Sequence, residues 1–343
     1  MKRPHSLRIL AVVAVLLGGI VACGDSSETE AAGAGGGGAA FPVTIKHALG
    51  TTTIPEKPKR VATVNWANHE VPLALGVVPV GMAAADFGDD NGDGVLPWVE
   101  ERLKELGAET PVLFDENDGI DFEAVADTRP DVILAAYSGL TKQDYDTLSE
   151  IAPVVAFPKA AWATPWRESI RMNSKAIGLA AEGDRLIARI ENDVKAVVAK
   201  YPQLKGRSTM FMTHVDPNDV SQIGFYTTHD TRTLFFEDLG LTIPGSVAEA
   251  SKGTDKFVLT RSAEQIDLFD DVDIITGYGS DELLGKIRKD PLLSKIPAVE
   301  NGAIWLLPET EPLGTAANPT PLSISWVLED YVKALAEAAD KAK

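Results

Sequence analysis

The sequence predicts an α/β protein of two lobes joined by one long helix, and three observations support this prediction. From residue 41 onward, short runs rich in β-branched residues alternate with helical stretches, which is typical of parallel sheets. Residues 166–200 instead carry apolar residues at helical spacing and contain no proline. The α/β alternation resumes after Pro202. We therefore predict an N-terminal lobe over 41–165, a connecting helix over 166–200 and a C-terminal lobe over 201–343.

Strand-like runs in both lobes are bounded by Pro, Gly or Asn. In the N-terminal lobe these strand-like runs lie at residues 59–65, 77–83, 130–137 and 152–157. Two short helical stretches lie between them, at residues 68–76 and 122–129. The C-terminal lobe has them at residues 208–215, 271–279 and 302–308, before an amphipathic helix over 321–341. This order of elements indicates one α/β sheet in each lobe.

The connecting segment places its apolar residues on one helical face. Residues such as Ile170, Ile187 and Val194 recur near helical spacing, with charged residues between them. As one helix the segment would be about 50 Å long at 1.5 Å per residue. Gly178 and Gly183 are the positions at which such a helix can kink.

One piece of the N-terminal lobe resembles a piece of the C-terminal lobe. Residues 122–139 can be laid on residues 263–280 without a gap, so that Glu123 falls on Glu264 and Tyr137 on Tyr278. The shared order of short helix, apolar strand and aromatic end indicates repeated lobes, and chance similarity of two β–α units remains the alternative.

The N-terminus has the pattern of a secretory signal. Basic residues precede an apolar run that ends at residue 22 and is too short to span a bilayer. The residues before Cys23, the one cysteine of the chain, resemble the bacterial lipobox, in which that cysteine carries the lipid. We expect a signal peptide over 1–22, lipidation of Cys23 and a Gly-rich tether over 23–40. An ordinary cleavage site that happens to end in cysteine is the alternative.

The charge of the chain excludes one class of partner. With a net charge of −18 and a pI near 4.7, the protein would be repelled by the phosphates of a nucleic acid. The composition is otherwise that of a globular protein, which we expect to be a monomer. From the predicted signal peptide and lipidation, we expect it to be held at the extracytoplasmic face of the cell membrane.

Several motifs together resemble the iron–siderophore and vitamin B12 substrate-binding proteins of ABC importers. They are "HALGTTTIPEKPKRVATV", "ALGVVPVGM", "DFEAVADTRPDVILAAYSGL" and "DPLLSKIPAVENGAIW", in addition to the lipobox. The resemblance covers nearly all of the mature chain. It implies the periplasmic-binding-protein fold of the helical-backbone class, with two Rossmann-like lobes, and a cargo held in the cleft between them. It also implies delivery of that cargo to a membrane permease with its ATPase.

A ferric siderophore is the cargo that the resemblance implies, and cobalamin or haem is the runner-up. A siderophore surrounds Fe(III) with its own oxygen atoms, so the protein has to offer aromatic surfaces and hydrogen-bond donors. The candidates are the aromatic residues and the arginine near predicted strand ends and ligand-contacting segments: Trp66, Tyr137, Trp162, Trp166, Tyr226, Arg232 and Tyr278. A core position is the alternative for each Trp, and Arg232 can instead cap a helix or pair with Asp230 or Glu237.

Glu123 and Glu264 match the two positions at which the family contacts arginines of the permease. Such ion pairs contribute orientation and association rate more than affinity. Solvated glutamates at helix starts, favoured by the helix dipole, are the alternative interpretation.

Three other kinds of site are less well supported. Residues 89–100 match the calcium-loop pattern, but the preceding residues are typical of a strand and turn, which favours an acidic surface turn. A zinc or manganese site from His69, His214 and His229 lacks any tight ligand spacing. A hydrolase lacks a recognisable nucleophile motif. We therefore expect no enzyme activity, no resident cofactor and no metal bound directly by the protein.

Overall fold

The computed structural model describes residues 40–308 and 311–343. The predicted signal peptide over 1–22, Cys23 and all but the last residue of the tether over 23–40 lie outside the described residues. Within the described part of the chain, no helix combines the length and apolar character that a membrane crossing requires.

The N-terminal lobe begins with an antiparallel hairpin of β1 (Val43–His47) and β2 (Gly50–Ile54). A parallel five-stranded sheet follows in the order β5-β4-β3-β6-β7. Its strands are β3 (Val61–Thr63), β4 (Gly81–Ala83), β5 (Val112–Phe114), β6 (Val132–Leu134) and β7 (Val154–Val155). The helices of this lobe are α1 (Glu70–Ala74), α2 (Pro97–Leu106), α3 (Phe122–Asp127) and α4 (Lys142–Ile151). These elements confirm the predicted parallel α/β sheet.

The segment over 166–200 is a helical hairpin rather than the single helix predicted from its periodicity. It contains α5 (Trp166–Ala176) and α6 (Ala180–Val198), separated at Gly178, which has a left-handed φ of 73°. The helices lie side by side, since Arg167 Nε donates to Glu191 Oε1 at 2.6 Å. At the other end, a Cβ on Gly183 would lie 2.1 Å from Ser174 Oγ. Periodicity alone cannot distinguish one helix from two that share an apolar side.

The C-terminal lobe has a mixed five-stranded sheet in the order β10-β9-β8-β11-β12. Its strands are β8 (Thr209–Met212), β9 (Gln222–Tyr226), β10 (Val258–Ser262), β11 (Ile274–Tyr278) and β12 (Ile304–Leu307). Strands β8, β11 and β12 are parallel, whereas β9 and β10 form an antiparallel pair. The helices are α7 (Thr231–Asp238), α8 (Gly245–Ala250), α9 (Asp281–Lys289), α10 (Pro297–Glu300), α11 (Pro312–Ala316) and α12 (Pro321–Ala339). Short 3-10 helices span Pro202–Leu204, Ala263–Phe269 and Leu293–Lys295.

The internal repeat is visible as equivalent places in the two sheets. Strand β6 lies between β3 and β7, and β11 lies between β8 and β12. The backbone hydrogen bonds show that the gapless overlay is wrong by one residue. Ile133 N and Ile275 N make the equivalent hydrogen bond, each to the chain at the outer strand of its own sheet, so these two residues correspond. Tyr278 therefore corresponds to Ala136 and not to Tyr137. Since side chains alternate along a strand, the two tyrosines reach the cleft from different strand positions.

The two lobes share one continuous core along α6 and α12. Leu186 of α6 and Tyr331 of α12 pack in the same cluster as Trp98 of the N-terminal lobe and Phe211 of the C-terminal lobe. A fully buried carboxylate adds a polar connection, because Glu70 of α1 accepts hydrogen bonds at the first turn of α12. The lobes are thus fixed to each other at the base of the cleft.

Candidate functional site

A cavity of about 320 Å³ lies between the lobes, and we call it the cleft cavity. Six of the seven predicted ligand-binding residues line it: Trp66, Tyr137, Trp162, Tyr226, Arg232 and Tyr278. The remaining lining residues are Asp86, Phe87, His214, Phe257, Thr315 and Asn318. A second cavity of about 510 Å³, the side cavity, continues into the N-terminal lobe and shares Trp66, Asp86 and Trp162 with the first. Both volumes are typical of small-molecule sites.

Asn68 positions the N-terminal wall of the cleft cavity. Its buried amide donates to the Val64 and Tyr137 carbonyls at 2.8 Å and accepts from Tyr137 N at 3.1 Å. The loop between β3 and α1 is thereby joined to the end of β6. Asn65 and Ala67 in this loop have left-handed φ values of 58° and 60°. This conformation places Trp66 in the wall of the cavity that Tyr137 also lines.

Trp162 reaches the same wall from the chain that leads into α5. Its ring packs over Gly139, where a Cβ would lie 2.4 Å from the indole Nε1. The Trp162 and Tyr137 rings meet edge to face with centroids 5.6 Å apart. Any larger residue at position 139 would displace the indole.

Arg232 is the central cation of the C-terminal wall. Asp230, the N-cap of α7, accepts from Arg232 N at 2.8 Å and from the guanidinium at 3.0 Å. The guanidinium carbon lies 4.0 Å from the Tyr226 ring centroid and 5.9 Å from that of Tyr278. Its Nε is buried and has no hydrogen-bond partner within the described chain. One N–H donor of this fork is therefore unused by the protein.

The protonation states of this wall follow from burial. Burial raises the pKa of Tyr137, Tyr226 and Tyr278, and the charge of Arg232 only partly opposes that rise. The phenols are therefore protonated at neutral pH and can donate hydrogen bonds. Burial lowers the pKa of Arg232, but the Asp230 carboxylate outweighs it and raises this pKa well above its ordinary value. The pair consequently presents donors with little net charge.

The lips of the cleft touch through aromatic side chains. Phe87 of the N-terminal lobe contacts His214 and Tyr278 edge to face, with centroids 6.0 and 6.2 Å apart. The His214 and Tyr278 rings are stacked at 4.5 Å. Beside them, a Cβ on Gly88 would lie 1.9 Å from Thr315 Oγ1. The cleft is therefore closed on this side by contacts between side chains of the two lobes.

Trp166 is the predicted ligand-binding residue that the structure places outside the cleft cavity. Its buried indole donates to Asp238 Oδ2 at 3.0 Å and stacks with the guanidinium of Arg167. Arg167 also bonds both oxygens of Asp238, at 2.8 and 2.9 Å. Trp166 thus connects α5 to α7. It is the first residue of α5, and the first turn of this helix faces the other lobe and not the cleft.

Phe257, Asn318 and His214 also line the cleft cavity, and the sequence did not identify them as cleft residues. Phe257 stacks with Tyr226 at 6.5 Å because β9 and β10 pair next to it. Asn318 Nδ2 donates to Tyr137 Oη at 3.4 Å across the lobes. No local sequence signal identifies either contact, since both depend on residues far apart in the chain.

Glu123 and Glu264 lie in the exposed first turns of α3 and of the 3-10 helix Ala263–Phe269. The N-caps of these turns are Asp121 and Ser262. Neither carboxylate has a partner in the described part of the chain. Both are therefore accessible, as the docking hypothesis requires.

The first part of residues 89–100 forms the acidic surface turn favoured from the sequence, and α2 begins at Pro97. The Asp89 carboxylate accepts from the backbone N–H groups of Asn91, Gly92 and Gly94, and these bonds lower its pKa although burial acts in the opposite sense. Over residues 40–308 and 311–343, no group of three or more His, Cys, Asp or Glu side chains is arranged to hold a metal ion.

His69, which lines the side cavity, provides a pH-dependent stability prediction. Burial lowers its pKa from 6.5 to about 4. Between pH 6.5 and about 4 the histidine is therefore protonated in the unfolded chain but neutral in the folded protein. The free energy of unfolding falls as the pH drops through this range. Between pH 7 and 5 this residue should remove about 2 kcal/mol from the free energy of unfolding.

Urea unfolding of the wild type and of His69→Gln at pH 7 and 5 measures this effect. Groups common to both proteins cancel in the comparison, so the variant should lose about 2 kcal/mol less than the wild type. Equal losses in the two proteins would show that His69 is protonated in the folded state.

Comparison with known proteins places the chain among binding proteins. The model of a family described as periplasmic binding proteins matches residues 61–311. Among curated proteins, the probable siderophore-binding lipoprotein YfiY of Bacillus subtilis is 25% identical over 275 residues, which cover 77% of this chain and 76% of YfiY. The iron(3+)-hydroxamate-binding protein FhuD of the same species is 24% identical over 326 residues, or 94% of this chain and 95% of FhuD.

Solved structures give the same result at higher identity. PiaA of Streptococcus pneumoniae in complex with ferrichrome has a TM-score of 0.84 and 44% identity, over 88% of this chain and 99% of PiaA. A periplasmic solute-binding protein from Mycobacterium smegmatis has a TM-score of 0.70 and 27% identity, over 87% of this chain and 98% of its own.

Proposed function

The chain belongs to the periplasmic binding protein family, and from this premise we propose that its cleft captures a ferric siderophore outside the cytoplasm for an ABC importer. The protein is a substrate-binding component and not an enzyme. The observation that carries the proposal is the convergence of Trp66, Trp162, Tyr226, Tyr278 and Arg232 on one cavity between the lobes.

The chemistry of this cavity suits an iron complex whose metal is already coordinated. Aromatic rings supply flat surfaces for the organic shell, and the phenols and the unused Nε–H of Arg232 supply donors for its oxygens. Direct coordination of Fe(III) by the protein is not required for such a cargo.

The charge of the site favours an uncharged complex, such as a ferric trihydroxamate, over anionic citrate or catecholate complexes. Arg232 is the one Lys or Arg among the described residues that line the two cavities, and Asp230 already balances its charge. Three carboxylates line the side cavity: Asp86, Asp115 and Glu116. A polyanionic cargo would meet these carboxylates without a compensating cation. The names of FhuD and of the PiaA complex agree with this preference.

Isothermal titration calorimetry with chelate classes of different charge tests the proposal. We expect the ferric trihydroxamate to bind at least about tenfold more tightly than the ferric tricatecholate or citrate complex. Tight binding of cobalamin or haem, with none of the ferric complexes bound, would contradict the proposal.

Lipidation of Cys23 and docking of the permease complete the proposed transport path. The double variant Glu123→Ala, Glu264→Ala should bind cargo like the wild type but fail to support uptake of radiolabelled iron, because rim ion pairs orient the two proteins. The control is Asp127→Ala, Asp267→Ala, which removes exposed carboxylates from the same two helices. Undiminished uptake by the first double variant would exclude these glutamates from docking.

A further inference from the structure

The side cavity extends the cleft cavity, and the aromatic residues that line the cleft cavity assign it no role. It opens beside Trp66 and Trp162, which also line the cleft cavity. Its inner surface is mainly apolar and includes Met82, Val95, Leu96, Leu113 and several alanines. A narrow aliphatic chain can therefore enter it past the two indoles.

The polar groups of this cavity are negative. Asp86, Asp115 and Glu116 line it, and no Lys or Arg does so among the described residues. The Glu116 carboxylate is fixed by Asn65, whose N and Nδ2 donate to Oε2 at 2.9 and 2.8 Å. The Asp86 carboxylate has no hydrogen bond or ion pair within the described part of the chain. The cavity thus holds one positioned and one unpaired carboxylate near each other.

The repulsion between the Asp86 and Glu116 carboxylates favours the binding of a positively charged group near them. Burial raises the pKa of Glu116, the hydrogen bonds from Asn65 oppose that rise, and the charge of Asp86 adds to it. A positive group between them would relieve the repulsion and the cost of burial together.

His69 is an independent indication of a ligand at the same place. Only 6% of this residue is exposed, it lines the side cavity, and its buried Nδ1 has no hydrogen-bond partner within residues 40–308 and 311–343. An unpaired polar atom at such depth is costly unless a bound group satisfies it. Since burial keeps the imidazole neutral, it can accept a hydrogen bond from an ammonium N–H.

We propose that the side cavity is a subsite for a primary ammonium arm of the cargo, with Asp86 and Glu116 as its counter-charges. The arm would leave the iron-bound part of the cargo at the cleft cavity and pass between Trp66 and Trp162. The proposal rests on the proposed function and adds to it a preferred class of siderophore, a ferric trihydroxamate that carries a free amine.

A pair of ferric linear trihydroxamates tests this subsite. The two differ only in a terminal amine, which is free in one and acetylated in the other. Calorimetry on the full-length protein in detergent micelles should give about tenfold tighter binding of the free amine, the size expected of one partly desolvated charge pair. Asp86→Asn should remove this preference, so that the two complexes bind with similar affinity. Because Asp86 is exposed and unpaired, its substitution does not threaten folding.

Two further variants make the outcome decisive. Glu116→Gln should also reduce the preference, whereas Asp90→Asn, a neighbouring exposed carboxylate that lines neither cavity, should retain it. Equal binding of both complexes by the wild type would overturn the subsite but leave the proposed function intact. A preference that survives both Asp86→Asn and Glu116→Gln would do the same. Failure of both complexes to bind would instead overturn the proposed function.

Discussion

Replacing Arg232 by Met is expected to abolish cargo binding and to lower the free energy of unfolding by about 3–5 kcal/mol. The side chain of Asp230 is completely buried, and the guanidinium of Arg232 is its compensating charge. Without that guanidinium a buried carboxylate stays unpaired, and the site loses its central donor between Tyr226 and Tyr278. Urea unfolding and calorimetry measure the two losses separately.

The double variant Asp230→Asn, Arg232→Met separates the structural role of the pair from its role in binding. It removes both charges, so most of the lost stability should return while cargo binding stays absent. A single Arg232→Met variant as stable as the wild type would mean that Asp230 is neutral in the folded protein. Cargo binding by the stable double variant would show that Arg232 does not contribute to the binding site.

Replacing Glu70 by Ala is expected to destabilise the junction of the two lobes by about 3 kcal/mol. Glu70 is fully buried and accepts from Trp98 Nε1 at 2.7 Å and from Leu322 N at 2.9 Å. Truncation leaves both donors unsatisfied. The same change should shorten the lifetime of bound cargo, because the cleft walls belong to the two lobes that Glu70 connects.

Unfolding and cargo dissociation rates check this prediction. Glu70→Gln, which keeps an acceptor, should lose less stability than Glu70→Ala. Glu105→Ala on α2, at an exposed ion pair, should change stability by about 0.5 kcal/mol or less. Equal stability of Glu70→Ala and the wild type would show that the lobes are held by their shared apolar core alone.

The lobes could be predicted from sequence because their strands are β-branched runs with clear boundaries. The antiparallel pair of β9 and β10 could not, since the paired residues Tyr226 and Val258 are 32 positions apart and no local pattern specifies their pairing. The hairpin of α5 and α6 was missed for a related reason. Gly178 ends α5 in a left-handed conformation, but the apolar spacing continues through it.

Trp66, Tyr278 and Arg232 line the cleft cavity, and each can be recognised from its place in the sequence. Trp66 follows a strand-like run, Tyr278 ends another, and Arg232 lies in a segment that resembles the ligand-contacting part of the family. Trp166 was placed in the cleft because it is close to Trp162 in sequence, yet its indole contacts Asp238 in the other lobe. Phe257 and the side cavity depend on residues from separate segments. Such contacts follow from the folded arrangement and leave no signal in a short stretch of sequence.

Quenching of intrinsic tryptophan fluorescence by a ferric trihydroxamate tests the central claim most directly, because Trp66 and Trp162 line the cavity that should hold the iron complex. We predict saturable quenching at one complex per protein in the wild type and none in the double variant Asp230→Asn, Arg232→Met. The absence of quenching by hydroxamate, catecholate and carboxylate complexes alike, with tight binding of cobalamin or haem, would contradict the account.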